Sequence, residues 1–532
     1  MSCQKRRRMS EKYSRTEASI PTQVLKEGED DSSLATTAKI RLTLQEESLI
    51  STILNAIDYL QKGKIDGYAA RPVVVRIAGG WVRDKLLNRS THDVDIVIDC
   101  LSGVDFAKIL QAYLKLTVPN EVKRIGVIAA NPNQSKHLET ATMVVKGIEC
   151  DFCNLRAEEV YSDTSRIPTT RFGTPLEDSQ RRDFTINSLF FNLQTQLIED
   201  WTGQGLTDLL ESKLLVTPLD PFTTFQDDPL RVLRAIRFSI RFNFNLDKKL
   251  MIAMSSKQIH DALVVKVSRE RVGKELEGCL SGKGAKPTKA LRLIGDLHLS
   301  RSVFLLPSIG KIEGELLEQT YVTENQSDAW EISKLSMKSV ELVDSVHVAD
   351  SQVKCLLDTR LLALTAYLLP FRKLSYVGQK LKQLSIVEFM IREGIKFKNK
   401  DVRAIMLLIE NVDKFRALSK NDEQSRETIG MLLRTTKDLW VTCLFLAGIL
   451  ESAIESAQDL YIMIARMKLD MSWKNPPLLD GRIMIQALGL PKGPLVGTFM
   501  EAQVRWTLNN PEGTKDQVLE HLKQYQQKLE SK

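Results

Sequence analysis

The sequence predicts an α+β protein, with a small α/β head followed by a long all-helical region. Three observations carry that prediction. Short β-branched runs bounded by turn residues occur at 73–77 and 94–98. Beyond Pro218 such runs vanish, and apolar residues recur at helical spacing to the end. The 532 residues are also too many for one ordinary core.

Residues 1–41 read as a disordered tail with few apolar side chains. Lys5, Arg6, Arg7 and Arg8 suit a nuclear address, and the early Arg and Ser content suits mitochondrial import. The acidic stretch Glu27, Glu29, Asp30 and Asp31 argues against import, and a plain solvated tail fits equally well. A helix is expected at 46–61, where Leu49, Ile53, Ile57 and Leu60 share a face. Residues 72–78 form a first strand ending at Gly79-Gly80, after which 81–87 start a helix. A second strand is expected at 93–98 and a third at 143–152. Residues 163–178 lack apolar periodicity and read as a long loop, which inside a compact domain tends to be functional. Apolar stretches at 185–192 and 197–200 complete the head. Helices are then expected at 231–242, 269–280, 356–369, 381–393, 401–415 and 442–454, with no fixed-period repeat. These readings give a head at 42–215, a neck at 216–282, a body at 283–400 and a tail at 401–532.

The net charge of +7, spread over 74 basic residues, is compatible with a polyanionic partner. Seven scattered cysteines with no secretory signal point to free thiols rather than a disulfide framework. Cys150 and Cys153 form a CxxC, but no second pair accompanies it, so they read as small strand residues rather than zinc ligands. No apolar run is long enough to span a bilayer, and no membrane partner is expected.

The chemistry centres on Asp93 and Asp95. On a strand, residues two apart face the same side, so the carboxylates point together while Val94, Ile96 and Ile98 enter the core. Such a pair repels itself unless a cation sits between, and hard divalent ions such as magnesium prefer oxygen ligands and substrate phosphates. Alone, an Asp-x-Asp is a weak signal that sugar-nucleotide transferases also carry. Gly79-Gly80, between strand and helix, lets backbone approach a phosphate, and Arg83 lies one turn further on. Glu149 and Asp151 share a face of the third strand; either supplies a third carboxylate, with Asp151 slightly favoured.

The segments 78–84, 93–95, 181–187 and 227–234 occur in the order found in class II CCA-adding enzymes, the tRNA nucleotidyltransferases related to bacterial poly(A) polymerases, and the chain resembles that family over residues 70–280. The resemblance implies a nucleotidyltransferase head with a mixed sheet. It implies that Gly79, Gly80 and Arg83 contact the incoming nucleotide and that Asp93 and Asp95 bind Mg2+; Asp151, with Glu149 as the alternative, joins them as the catalytic set. Arg182 and Asp183 would read the ribose with Arg181 in support. Asp228 and Arg231 would form an amino-acid template for the base, and Arg234 and Arg237 would add nucleotide contacts. Asp200 and Gly203 resemble the hinge between head and neck. Arg241 reads as a solvated surface residue. Asp227 stands where many family members carry Glu, a departure that leaves Asp228 and Arg231 unchanged.

The template has a physical rationale. Asp228 and Arg231 are three apart, hence neighbours if both lie on a helix. Asp accepts and Arg donates, matching the amino donor and ring-nitrogen acceptor of both cytosine and adenine. Guanine and uracil present the reverse pattern. A matched bidentate pair discriminates by about 1–3 kcal/mol, and stranded polar groups can reject an analogue by roughly 10⁴-fold. The expected substrates are CTP and ATP, with tRNA as acceptor.

Basic residues at 372, 373, 380, 382, 392, 396, 398 and 400 are candidates for tRNA phosphates or ordinary surface charges. Segments 392–401 and 478–509 resemble eukaryotic family members. The resemblance implies CCA addition, with poly(A), CC or A addition and a non-catalytic tRNA-binding role as alternatives. A monomer is expected, in the cytoplasm, with nucleus and mitochondrion also open.

Overall fold

The computed structural model describes residues 40–91, 93–128, 139–157, 172–308, 311–316, 319–323, 331–346, 357–378, 382–420 and 425–530. The basic cluster at 5–8 and most of the expected loop, residues 163–171, lie outside the described residues. The chain divides into two compact units, Met1–Ser239 with Asn243–Ile259, and Ile240–Phe242 with His260–Lys532.

The first unit opens with α1 (Leu44–Gln61), started by a capping box between Thr43 and Glu46. It buries Leu49, Ile53, Ile57 and Leu60, the face its spacing defined. Strand β1 (Val75–Ala78) leads through Gly79 into α2 (Gly80–Leu86) and back along β2 (Val94–Ile98). Helix α3 (Gly103–Thr117), capped by Ser102, follows. The sequence reading passed over α3, yet the topology requires it: β2 pairs parallel with β5 (Ile148–Asn154), and parallel neighbours need a crossover. Its first turn presses so closely on β5 that a Cβ at Gly103 would fall 1.9 Å from the Phe152 carbonyl oxygen.

The third expected strand, 143–152, is instead a hairpin of β4 (Thr140–Val145) and β5. It turns at Lys146-Gly147, with φ of 51° and 78°. Two positive φ values match the twist of a tight hairpin, but a lysine in the first position gave no turn signal. With β3 (Gly126–Ile128), β6 (Phe190–Asn192) and β7 (Ile198–Glu199), the sheet has the order β3-β4-β5-β2-β1-β6-β7, mixed because only β2 and β5 are parallel. The end of the expected loop is helix α4 (Pro175–Gln180), started by a capping box between Thr174 and Glu177. Helices α5 (Pro221–Asp227) and α6 (Arg231–Phe242) follow.

The second unit is mainly helical, and helices at Arg269–Leu280, Thr359–Leu368, Asn399–Lys420 and Trp440–Glu451 realise the expected periodicity. It also carries a small antiparallel sheet built from Ile312–Leu316, Gln319–Thr323, Leu374–Val377 and Gln383–Ser385. The last strand lies where a helix was expected to begin at 381; the helix starts only at Ile386, behind the cap Ser385. Leu479, Met484, Leu488, Phe499, Val518 and Leu522 form a separate C-terminal core cluster. No helix among the described residues is long and apolar enough to cross a membrane.

Candidate functional site

The β1–β2 ladder ends with Ala78 opposite Asp95, so Gly79 and Gly80 continue directly beside Asp93. Asp93 and Asp95 are exposed while Val94 and Ile96 between and beyond them are buried, as strand alternation requires. Parallel register sets Asp95 opposite Asp151, so these two carboxylates share a face across adjacent strands. Asp151 also accepts a 2.6 Å bond from Thr142 Oγ1. Glu149 is exposed and lies opposite Val144 across the hairpin. Of the two, Asp151 is the one whose register partner is Asp95. Loss of hydration raises the Asp95 pKa; Arg182 opposes the rise, and the like charges of Asp151 and Asp93 add to it.

Among the described residues, no group of three or more Cys, His, Asp or Glu side chains is arranged to hold a metal by itself. Magnesium is usually bound through one or two carboxylates plus substrate phosphates rather than an all-protein cage, and Asp93 and Asp95 are the carboxylates that would hold it. Carboxylate oxygens whose like charges raise the Asp95 pKa are a suitable donor set for such an ion. Cys150 and Cys153 are free thiols, three residues apart on one strand and therefore on opposite faces.

Gly79 has φ +65°, and a Cβ there would lie 2.8 Å from Arg182 Nη1. The glycine is thus required twice, by backbone conformation and by the arginine it admits. Arg83 is buried; it donates from Nε to Asp84 at 2.8 Å and from Nη1 to Asn187 Oδ1 at 2.5 Å, bracing the turn from behind.

Asp178 organises the arginines. It is fully buried and accepts from Arg181 Nε at 2.9 Å, from Arg182 Nε and Nη2 at 3.0 and 2.7 Å, and from the Arg156 backbone at 3.2 Å. Burial alone would raise its pKa, but the Arg182 and Arg181 guanidiniums drive it far below the carboxylate range. Burial also brings Arg181 down to about 10. Asp178 was missing from the sequence-derived site, although it precedes Arg181 and Arg182 by three and four residues, the spacing of side chains meeting on a helix.

Asp183 is buried as well. It accepts from Asn187 Nδ2 at 2.9 Å and from Arg234 Nε at 2.8 Å, and these partners overcome desolvation to lower its pKa. Arg83, Arg234 and Arg237 all pack over the Phe238 ring, with centroid distances of 5.1, 5.3 and 4.4 Å. Phe238, also unforeseen, meets Phe184 edge-on. Arg241 stacks on Phe242 instead.

Asp228 is not on the helix that carries Arg231. It is extended, with φ −133° and ψ 96°, and sits before the first turn of α6. Its carbonyl accepts from the Arg231 backbone at 3.0 Å and its Oδ1 from the Leu230 backbone at 3.2 Å. The Asp228–Arg231 pairing therefore rests on a helix-start turn, since the Asp side chain competes for backbone N–H groups. Arg231 is fixed by its bonds to the Arg181 carbonyl at 2.6 Å and the Thr224 carbonyl at 3.4 Å. The expected hinge is a tight turn in which buried Asp200 accepts from Thr202 Oγ1 at 2.7 Å and from the Gly203 and Leu206 backbones at 3.1 and 3.0 Å.

Of the basic residues in the second unit, Arg372 faces Asp413, Arg392 faces Glu388 and Lys396 faces Glu393. Lys380 lies outside the described residues.

Carboxylates on neighbouring strands of a small mixed sheet, beside a glycine turn and an arginine-bearing helix, define a nucleotidyltransferase head. Residues 75–215 match the poly A polymerase head domain. The mitochondrial CCA tRNA nucleotidyltransferase of Saccharomyces cerevisiae is 33% identical over 534 residues, covering 91% of this chain and 94% of that one. The chain belongs to the CCA tRNA nucleotidyltransferase family. The solved Thermotoga maritima CCA-adding enzyme complexed with tRNA shares the fold, with a TM-score of 0.58, 20% identity and coverage of 90% of this chain and 97% of that one. The Bacillus stearothermophilus CCA-adding enzyme in complex with CTP does so with a TM-score of 0.57, 18% identity and coverage of 92% and 100%.

Proposed function

We propose that this protein adds C, C and A to the 3′ end of tRNA from CTP and ATP, by magnesium-dependent nucleotidyl transfer without a nucleic-acid template. The observation that carries the reading is the near-full-length identity to the yeast enzyme, joined to Asp93, Asp95 and Asp151 on one face of the sheet. When held by Asp93 and Asp95, magnesium supplies Lewis acidity toward the attacking ribose hydroxyl and balances charge on the leaving pyrophosphate. The chain's own residues do the rest. Asp151 holds the third corner of the carboxylate face. Gly79 and Gly80 let the backbone approach the phosphates. Arg182 brings positive charge close to Asp95, fixed by Asp178. Asp228 accepts from the exocyclic amine of cytosine or adenine, and Arg231 donates to the adjacent ring nitrogen.

Residues 42–215 act as catalytic head, 216–282 as neck with the base-selecting pair, 283–400 as body and 401–532 as a tRNA-gripping tail. We place the protein in mitochondria, the compartment in the yeast relative's name, and also in cytoplasm and nucleus. It acts as a monomer.

The test uses tRNA lacking its 3′ end, with CTP alone, ATP alone, or both. Two additions with CTP, a third only with both, and none with GTP or UTP are expected. Long A tracts from ATP, or arrest after two C additions with both nucleotides present, would replace this reading.

A further inference from the structure

The second unit contains a basic cavity with no carboxylate lining it. Arg426, Arg434, Lys468 and Ser472 line a small space of about 100 Å³ that opens to solvent, with Pro476 and Pro477 among its walls. Both arginines lie on the helix Arg426–Thr436, and Lys468 follows the helix Ile454–Arg466 with φ 54°.

The two guanidiniums are held in place by backbone, not by acids. Arg426 donates from Nε to the Leu508 carbonyl at 3.0 Å and from Nη1 to the Met467 carbonyl at 2.6 Å. Arg434 Nη1 donates to the Ser472 and Asn475 carbonyls, each at 3.0 Å. Among the described residues, Arg426 Nη2, Arg434 Nε and Nη2, and Lys468 Nζ have no protein partner. Ser472 is 6% exposed, and its Oγ also lacks one. Loss of hydration pulls the Arg434 pKa down with no acid opposing it.

Three cations around one cavity repel one another, and an anion between them relieves that repulsion. Guanidinium forks match phosphate oxygens, and donors fixed in advance lose little freedom on binding. The proline walls offer flat apolar surface to a sugar or base. We infer that this cavity binds the phosphate of a nucleotide unit, supplied by an RNA backbone or by a free nucleotide, in the unit that does not hold Asp93 and Asp95. The RNA source rests on the proposed tRNA substrate.

Lys468→Glu in the full chain is the first test, because Lys468 is exposed and makes no side-chain bond. Lys523→Glu, also exposed and outside the cavity, changes net charge equally and serves as control. Affinity for tRNA lacking its 3′ end is read by fluorescence anisotropy across salt concentrations, and CTP stoichiometry by equilibrium dialysis. Lys468→Glu should weaken tRNA binding by roughly 10-fold and shrink the salt dependence by about one phosphate contact, well beyond the control. Arg434→Lys, which keeps charge but loses the fork, should weaken it less. Loss of one bound CTP with tRNA affinity intact would make free nucleotide the occupant. No change in either measurement, or an equal loss from Lys523→Glu, overturns the proposal. A wild-type protein that binds tRNA here but adds neither C nor A would refute the proposed reaction and leave this site standing.

Discussion

Two sets of aspartates in the first unit differ in what surrounds them. Asp93, Asp95 and Asp151 stand together on the open face of the sheet, and their mutual repulsion adds to desolvation in raising Asp95. Asp178 and Asp183 are buried deeper, yet their pKa values fall, because Arg181, Arg182 and Arg234 answer them. Loss of hydration works in the same direction at Asp95, Asp178 and Asp183, so the neighbouring charges decide the outcome. The difference separates a face of like charges from a lattice in which each carboxylate already has its cation. Arg182 joins the two: it is clamped by Asp178 and felt by Asp95.

The largest effect that would break this contrast comes from Asp95→Asn. Nucleotide incorporation should drop by roughly 10²–10³-fold or more, with tRNA binding retained. The melting temperature should rise slightly, because one repelling charge is removed; a clear fall would assign Asp95 to the structural set. Asp178→Asn should do the opposite, costing about 3–5 kcal/mol in chemical denaturation by removing the buried charge that holds two half-buried arginines. Because the folded pKa of Asp178 is depressed, its contribution is present in full above about pH 4 and is lost as pH falls below that. The stability gap between wild type and Asp178→Asn should therefore narrow on acidification, and a gap that widens would contradict the ion-pair account. The smallest effect belongs to Phe238→Leu, about 1–2 kcal/mol from lost ring contacts to three guanidiniums. An unchanged melting temperature would show that the ring is ordinary packing.

Much of this was legible in the residues. Alternation put Asp93 and Asp95 on one face, and period-two reasoning needs nothing beyond the strand itself. Glu149 and Asp151 could not be separated that way, because both share a face; the parallel register with β2 is a tertiary fact. Asp178 lay hidden at the end of a segment read as loop, since the six residues of α4 are too few to show periodicity. The small second-unit sheet escaped for a similar reason. Its strands are three to five residues long, and Ile312–Leu316 mixes Gly and Glu with its apolar positions. Asp228 shows the reverse error: spacing of three suggested a shared helix, whereas a side chain that bonds the Leu230 backbone belongs to a helix start.

The ring of Phe238 has one further consequence. Carboxylates answer arginines only while ionised, so an acidic environment loosens each ion pair in the lattice. An aromatic face attracts cations through a quadrupole that no proton can cancel. Arg83, Arg234 and Arg237 thus retain one attachment whose strength is independent of pH, a mechanical backstop for these guanidiniums when the neighbouring acids are silenced.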